Sequence, residues 1–490
     1  MSNMESYIKS LFAVQNPPEI RTEPHICAAC TADNRSRVPA EPPLAVLFPT
    51  CSEQVQEIVR LANEHHISLA VRSSQGLEST SGASLPAVGA ECVAVNLSRM
   101  NKIMHIDPKN NMAILEAGVT YDQLNQALKP YGLYCEHPLA PRAEKSVIAS
   151  LLDRDPVLTA KHLWDVPDPL CCVEMIMGNG ALFRTGSAAG PGTLEEMIES
   201  GCGINQAQGP VWLDLGRVIT GSQGTLAIVT WASVKVRPIG TVSTPAYLQS
   251  DDINTLADCV SQIIRRRLGE ESVLLNRKGL AQLLGVDPAA TANMPQWTYL
   301  TTVRGFRFFP ERYRDNQLAD MADIAGGFGL AVQDSLLGLS NERIAAVLCG
   351  SSDKGAYWRQ RNGKEILDLF FLSTMDKIGF YSGLAEAAAE KCGLRREDLC
   401  VYAQPSQMGR NCHIEFIIQA DRETAAKLEK LLGIVLLDNK AFFSRPYGSL
   451  VEKIYNRCTD QKTVMPVIKR FFDENNVMNP GRLVYDGGRQ

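Results

Sequence analysis

The sequence predicts an α+β protein with more than one folding unit. Its 490 residues correspond to roughly two to four domains of ordinary size. A β-α-β pattern occupies residues 44–72. From about residue 240 to 450, strands and helices follow in the order typical of an antiparallel sheet covered by helices. The pattern changes just after Pro238, which ends a long β-branched run.

The first unit is the clearest part of the pattern. Residues 44–48 form a short apolar run before Pro49 and predict a strand. Residues 52–65 carry apolar side chains at helical spacing, and 68–72 predict a second strand. A strand, a helix and a strand within about 30 residues imply a parallel pairing.

The remaining elements are predicted from periodicity and turn residues. A helix at 121–131 is closed by Gly132, and Gly178-Asn-Gly180 predicts a hairpin turn. Further strands are predicted at 92–97, 102–107, 112–117, 172–176, 181–184, 226–236, 298–303 and 413–420. Further helices are predicted at 256–268, 311–325, 380–392, 422–432 and 461–472. The apolar run 365–371 fits either a helix or a strand.

Charge and hydropathy exclude several classes of protein. The net charge is −5, and no clustered basic face indicates a nucleic-acid partner. No apolar run approaches the roughly 20 residues of a membrane span. Residues 1–15 lack the long apolar stretch and cleavage site of a signal peptide. The sequence therefore predicts a cytoplasmic protein without a membrane span.

The cysteines are numerous but scattered. Among the 14 cysteines, Cys27 and Cys30 form one C-x-x-C that follows His25. A structural zinc site usually needs four ligands, so one pair favours reduced, buried thiols. A metal or cluster site and a partner-facing redox role remain alternatives.

Two loops carry candidate chemistry. Residues 72–86 follow a strand and are crowded with Ser, Thr and Gly, which suits either an anion-binding loop or a plain surface loop. In residues 220–230, Gly221 and Gly224 flank a tight turn that leads into a strand. A Rossmann loop leads from a strand into a helix, so that interpretation is disfavoured. A structural turn fits equally well.

Taken singly, the segments 145–154 and 479–482 are each better explained as structural segments than as parts of a site. Taken together, the four segments resemble the vanillyl-alcohol oxidase and para-cresol methylhydroxylase (PCMH) superfamily of FAD enzymes. The resemblance extends over residues 44–240 and 470–485. The most specific matches are Gly221-Ser-Gln-Gly-Thr-Leu-Ala-Ile-Val229 and Asn476-Val-Met-Asn-Pro-Gly-Arg-Leu483.

The resemblance implies a domain organisation and a cofactor. It implies an N-terminal arm (1–40), a two-lobed PCMH-type FAD-binding domain (41–240), an antiparallel-sheet cap for the substrate (241–454) and a return to the FAD domain (455–490). FAD would lie extended between the two lobes, and the cap would close over the flavin ring.

The resemblance also implies the cofactor contacts. The pyrophosphate would contact Arg72, Ser73, Ser74, Gln75, Gly76 and Leu77. The ribityl chain and flavin would contact Ser146, Val147, Ala149 and Asp153, and the adenine half would contact Gly221, Gly224, Thr225 and Ile228. Arg482 would lie near the flavin or close the domain.

The chain departs from the family pattern in three ways. The first loop is poorer in glycine than in many relatives and contains Glu78. The Gly-Gly of relatives is Ile148-Ala149 here, which is closer to the para-cresol branch. The first loop has no histidine, so a covalent FAD linkage there is excluded, whereas a linkage from the cap remains open.

Three clusters are candidates for the reacting residues. His413 and Glu415 lie two apart on a predicted strand, which places them on one face, and His413 is a candidate base. The alternative is a structural histidine within a sheet. Arg445 and Tyr447 are candidates for holding an anionic substrate or an anionic reduced flavin. The alternative is that they belong to a structural turn. For a third cluster, Lys161-His-Leu-Trp-Asp165, exposed positions on a helix are favoured over a role in the site.

These expectations predict an FAD-dependent oxidoreductase. It would transfer a hydride from a small-molecule alcohol, hydroxy acid or phenol to the flavin, and then pass electrons to a separate acceptor such as a protein. One alternative is a subunit that keeps the fold without independent catalysis, as an electron relay or scaffold in a redox complex. Another is an oxidase that reduces oxygen directly. The oligomeric state, homo- or hetero-oligomeric, stays open.

Overall fold

The first region of the chain forms two main sheets and a two-stranded ribbon. A computed structural model describes residues 3–30, 41–74, 92–162, 168–201, 203–210, 214–350, 357–360 and 365–483. In chain order, the elements up to Pro238 are α1 (Asn3–Ala13), β1 (Glu19–Arg21), α2 (Pro24–Ala29), β2 (Ala45–Phe48), α3 (Ser52–His65), β3 (Ser68–Arg72), β4 (Cys92–Asn96), β5 (Ile103–Asp107), β6 (Met112–Glu116), α4 (Tyr121–Leu128), β7 (Leu133–Tyr134), α5 (Val147–Leu152), β8 (Leu170–Met177), β9 (Leu182–Arg184), α6 (Leu194–Glu199), α7 (Leu215–Ile219), β10 (Ala227–Lys235) and β11 (Arg237–Pro238).

The first sheet contains the predicted β-α-β unit. Its strand order is β1-β2-β4-β3, and β2, β4 and β3 are parallel. The helix α3 has the predicted bounds because its apolar residues, such as Val55 and Ile58, recur on one face and are fully buried. The N-terminal β1 pairs antiparallel with β2, so part of the predicted arm extends this sheet.

The second sheet is antiparallel, with strand order β5-β6-β10-β8-β9. Its central strand β10 is buried along its whole length except at Lys235, because apolar side chains pack on both of its faces. The strand starts directly after the 220–225 turn. The turn therefore lies at the end of this sheet, close to the first sheet.

The second region is a cap built on one six-stranded antiparallel sheet. Its elements are β12 (Val242–Ser250), α8 (Ile253–Arg265), β13 (Ser272–Asn276), α9 (Arg277–Leu284), β14 (Trp297–Gly305), α10 (Pro310–Gly327), α11 (Asn341–Cys349), β15 (Glu365–Ser373), α12 (Ile378–Lys391), β16 (Leu399–Ser406), β17 (Asn411–Ala420) and α13 (Arg422–Asp438). The strand order is β12-β14-β13-β16-β17-β15.

Both faces of the cap sheet are covered. Apolar side chains of α8, α10, α12 and α13 pack on one face and form the largest core. The opposite face packs with α9 and α11, and also with Leu139, Ala140 and Leu158 of the first region. The cap therefore shares a hydrophobic core with the first region.

The chain then returns to the first region through α14 (Val451–Tyr455) and α15 (Thr459–Phe472). Met478 forms a parallel bridge with Leu69 of β3. The ammonium group of Lys469 is fully buried and donates to the carbonyl oxygens of Thr225 (2.6 Å) and Met478 (2.8 Å) and to Asp473 (2.5 Å). This contact joins the C-terminal segment to the turn that precedes β10.

The predicted α+β class, with an antiparallel cap sheet, is confirmed. The ambiguous run 365–371 belongs to strand β15. The strands β12, β13 and β16 were not predicted. Among the described residues, no helix is both long and apolar enough to cross a membrane.

Candidate active site

A cleft lies between the two sheets of the first region. It encloses about 710 Å³ of empty space, part of it open to solvent. Its walls include the following predicted cofactor contacts: Arg72 and Ser73 at the end of β3, Ala149 and Asp153 from α5 and the turn after it, and Gly224 and Ile228 around the start of β10. Tyr447 and Arg482, from the returning chain, also line it.

Other predicted contacts lie behind the cleft wall. The amide of Ser146 donates to Ser74 Oγ at 3.0 Å, and Ser146 Oγ donates to the Ala117 carbonyl at 2.6 Å and accepts from the Ala149 amide at 3.0 Å. Ser146 therefore caps α5, and Val147 is fully buried in the core. Gln75, Gly76 and Leu77 lie outside the described residues.

The turn before β10 is held in an unusual backbone conformation. Gly221, Gln223 and Gly224 all have positive φ angles, of 80°, 53° and 72°, which glycine adopts at little cost. A Cβ on Gly221 would come within 3.0 Å of the Arg154 guanidinium. The Thr225 carbonyl is occupied by Lys469, so Gly221 and Thr225 shape the turn while Gly224 faces the cleft.

Gln223, which sequence reasoning missed, joins three parts of the chain at this turn. Its amide nitrogen donates to the Pro446 carbonyl at 2.7 Å, and its amide oxygen accepts from Arg482 Nε at 2.9 Å. Its backbone carbonyl accepts from the Asn479 side chain at 2.8 Å. The only sequence signal was its position between Gly221 and Gly224.

The Arg445 and Tyr447 side chains contact the acidic turn after α5. Arg445 Nη1 donates to Asp155 Oδ1 at 2.6 Å, and the Tyr447 hydroxyl donates to Asp153. Burial, together with the charge of Asp155, raises the pKa of Asp153. Lys145 also pairs with Asp155, and burial lowers the pKa of Lys145. The pairing partners Lys145 and Asp155 were not among the predicted site residues.

His413 and Glu415 form the second cluster, on β17. His413 Nε2 lies 3.0 Å from Glu415 Oε2, and the same oxygen accepts from Arg359 Nη2 at 2.9 Å. Both His413 and Glu415 are buried. Burial lowers the pKa of His413, so the imidazole is neutral at neutral pH.

Phe370 on β15 brings the two clusters together. The centre of its ring lies 5.7 Å from that of His413 and 6.0 Å from that of Tyr447. The guanidinium carbon of Arg445 lies 4.2 Å from the same ring centre. One continuous set of contacts thus runs from the cap sheet to the wall of the cleft. Phe370 and Arg359 gave no recognisable signal in the sequence.

Two other candidates lie elsewhere. Lys161 and His162 both contact Glu270, at 2.7 and 3.0 Å, and thereby tie the first region to the cap; Asp165 lies outside the described residues. Cys27 and Cys30 are buried against Val46 and Ala94. Within the described part of the chain, no group of three His, Cys, Asp or Glu residues could hold a metal ion.

Comparisons with known proteins agree with the fold. Residues 43–186 match the model of an FAD binding domain. The mitochondrial D-lactate dehydrogenase [cytochrome] of Arabidopsis thaliana is 26% identical over 44% of this chain and 34% of its own length. The 4-cresol dehydrogenase [hydroxylating] flavoprotein subunit of Pseudomonas putida is 31% identical over 31% of this chain and 29% of its own length. The chain spans about a third of the length of these relatives.

The crystal structure of p-cresol methylhydroxylase with substrate bound superposes with a TM-score of 0.84 at 17% identity, over 100% of this chain and 98% of that one. Fold and cleft therefore define a protein with an FAD-binding domain. The fold is that of p-cresol methylhydroxylase, and part of the sequence is similar to flavin-linked dehydrogenases. The predicted resemblance to the PCMH and vanillyl-alcohol oxidase superfamily and the prediction of FAD as the cofactor are confirmed.

Proposed function

We propose that this chain is an FAD-linked oxidoreductase that oxidises an alcohol or a phenol at the base of the cap. The proposal rests on one observation: the predicted cofactor contacts and the candidate reacting residues are connected through Tyr447. Tyr447 lines the cleft together with the predicted cofactor contacts, and it also contacts Phe370, which contacts His413. A substrate on the cap side of the cleft would therefore lie beside both the cofactor and a base.

The cleft has the donors and the walls that FAD requires. Arg72 and Ser73 offer a cation and a hydroxyl to a pyrophosphate, and Arg482 supplies a second cation. Apolar side chains, including Ile148 and Ile228, suit a flat ring system. When bound, FAD accepts the hydride.

His413 is the proposed base. Glu415 also pairs with Arg359, which favours the charged carboxylate, so Glu415 accepts a hydrogen bond from His413 Nε2. The proton then resides on Nε2, and Nδ1 carries the lone pair. Nδ1 is therefore the atom that would accept a proton from a substrate hydroxyl.

The charge balance favours a substrate without a carboxylate. Three cations of this region, all largely shielded from solvent, each contact an acidic side chain: Arg445 and Lys145 contact Asp155, and Arg359 contacts Glu415. A substrate carboxylate would compete with these carboxylates at the cost of leaving one of them buried without its cation. A neutral hydroxyl avoids that cost.

The test is anaerobic flavin reduction with three sets of compounds. The purified protein is mixed with 4-alkylphenols, primary alcohols or 2-hydroxy acids, and the loss of oxidised-flavin absorbance is followed. The proposal expects bleaching by a phenol or an alcohol. Bleaching only by 2-hydroxy acids would overturn the substrate class. A protein that neither carries nor takes up FAD would overturn the oxidoreductase function and favour a scaffold subunit.

A second step separates a dehydrogenase from an oxidase. After reduction by substrate, the protein is exposed to air and then to a dye that accepts electrons. We expect slow reoxidation by air and fast reoxidation by the dye, because electrons are proposed to leave to a separate acceptor. Fast reoxidation by air alone would identify an oxidase.

A further inference from the structure

The connection between β14 and α10 exposes an unusual group of aromatic side chains. Phe308 and Phe309 are 79% and 78% exposed, and Tyr313, one turn into α10, is 51% exposed. Large apolar side chains of this kind are normally at least half buried. Because two adjacent phenyl groups are both largely free of protein contacts, this segment, residues 306–313, is a protruding tip.

The backbone of the tip is strained. Phe309 is in the left-handed region, with φ 51° and ψ 54°, and a bulky residue there is a genuine outlier. Phe309 is also the N-cap of α10 and makes no side-chain capping contact, so the strain is not offset by a cap. Such strain persists at functional sites more often than elsewhere.

The tip is basic in an acidic protein. The chain has a net charge of −5, whereas residues 306–313 contain two arginines, Arg307 and Arg312, and one acidic residue, Glu311. Arg314 pairs with Asp315. Arg307 and Arg312 form no ion pair with any residue that the structure describes, and Arg307 lies 5.7 Å from the centre of the Phe308 ring.

Two more exposed apolar side chains border the tip. The Thr241 amide donates to the Gly305 carbonyl at 2.8 Å, and the Ile239 amide donates to the Gly132 carbonyl at 2.7 Å. Ile239 is 46% exposed and Tyr131, beside Gly132, is 53% exposed. Backbone hydrogen bonds therefore join the segment before the tip to the edge of the first region, where Ile239 and Tyr131 are exposed.

We propose that residues 306–313 dock this protein on the surface of an anionic lipid bilayer, with Phe308 and Phe309 inserted among the acyl chains and Arg307 and Arg312 at the headgroups. Aromatic side chains beside arginines are the composition of interfacial anchors. A stable protein interface needs about 800 Å² from each partner. The exposed residues of α10 that follow the tip, such as Asp315 and Asp320, are polar, so the exposed apolar side chains do not extend along this helix to form a surface of that size. The attachment is peripheral.

Vesicle sedimentation tests the proposal with the full-length, FAD-loaded protein. Vesicles of phosphatidylcholine alone are compared with vesicles of phosphatidylcholine and phosphatidylglycerol in equal parts. We expect the protein to sediment with the anionic vesicles and to dissociate when salt is added, because arginine–lipid attraction is screened. We expect Phe308→Ser combined with Phe309→Ser to reduce the bound fraction about tenfold. Arg307→Gln combined with Arg312→Gln should act in the same direction.

Two control variants separate docking from misfolding. Phe471→Ser removes a similarly exposed phenyl group on α15 (67% exposed) and should leave vesicle binding unchanged. Phe309→Gly removes the side chain and relieves the positive φ, so it should weaken binding without lowering the melting temperature. A wild-type protein that fails to bind anionic vesicles would overturn the proposal. Full binding by the Phe308→Ser, Phe309→Ser protein would overturn it as well. Neither outcome depends on turnover, so both are independent of the proposed oxidoreductase activity.

Discussion

Arg445 Nη1 lies 2.6 Å from Asp155 Oδ1, and this ion pair links the end of the cap to the turn after α5. The pair is buried, and the guanidinium also lies over the Phe370 ring. The arginine therefore has an intramolecular carboxylate partner. Its proposed role is to hold the wall of the site in place and to balance the negative charge of Asp155.

The Arg445→Ala variant tests that role. We expect FAD to remain bound while the rate of substrate-dependent flavin reduction falls by roughly tenfold to a hundredfold, because Asp155 loses a cation beside the cleft. Stopped-flow absorbance measures the rate, and the visible spectrum measures the flavin content. Arg445→Lys, which keeps the charge, should recover part of the rate. Normal reduction kinetics in the alanine variant would remove Arg445 from the site.

The Gly224→Trp variant tests the position of the cofactor. Gly224 lines the cleft with a φ of 72°, so an indole there would both strain the turn and fill the space. We expect the protein to lose FAD. The matched control is Gly383→Trp, because Gly383 is exposed and a Cβ added there would meet nothing within 4 Å. A Gly224→Trp protein with full flavin content would mean that FAD does not approach this turn.

The pH dependence of flavin reduction tests His413. A base must be unprotonated, and burial lowers the pKa of His413 below its usual value, which is about 6.5. The reduction rate should therefore be constant through neutral pH and fall only in acid, as His413 becomes protonated. We expect His413→Gln to lower the rate by roughly a hundredfold and to abolish this acid limb. An unchanged acid limb in the variant would assign it to another group.

The Lys469→Met variant tests the contact that joins the C-terminal segment to the 220–225 turn. The variant leaves Asp473 buried without its cation and removes a donor from the Thr225 and Met478 carbonyl oxygens. We expect a loss of about 3–5 kcal/mol in the free energy of unfolding, measured by urea denaturation. Lys462→Met, at an exposed position of the same helix, should change it by less than about 0.5 kcal/mol. Equal stability of the two variants would contradict the structural role of Lys469.

The fold was predictable where local patterns are strong. The helix α3 follows from its apolar spacing, and the hairpin at Gly178-Asn-Gly180 follows from its turn residues. The cap strand β13 was missed because it is short and buried on both faces, so it lacks the alternation that identifies a half-buried strand. The run 365–371 was ambiguous for a similar reason, and only its pairing with β17 settles it as a strand.

The site was predictable in its residue types but only partly in its arrangement. The two-residue spacing of His413 and Glu415 placed them on one face of β17, and the structure has them in contact. Their connection to Tyr447 through Phe370 depends on tertiary packing between strands and the returning chain. No local sequence pattern encodes such a contact. The pairing of Arg445 with Asp155, 290 residues away, was invisible for the same reason.

The visible absorbance spectrum of the purified protein, before and after acid precipitation, tests the central claim most directly. The account predicts the two bands of oxidised flavin, because FAD occupies the cleft between the two sheets. Flavin in the supernatant would show non-covalent binding, and flavin in the pellet would show a linkage from the cap; both agree with the account. A colourless protein that cannot be reconstituted with FAD would contradict it.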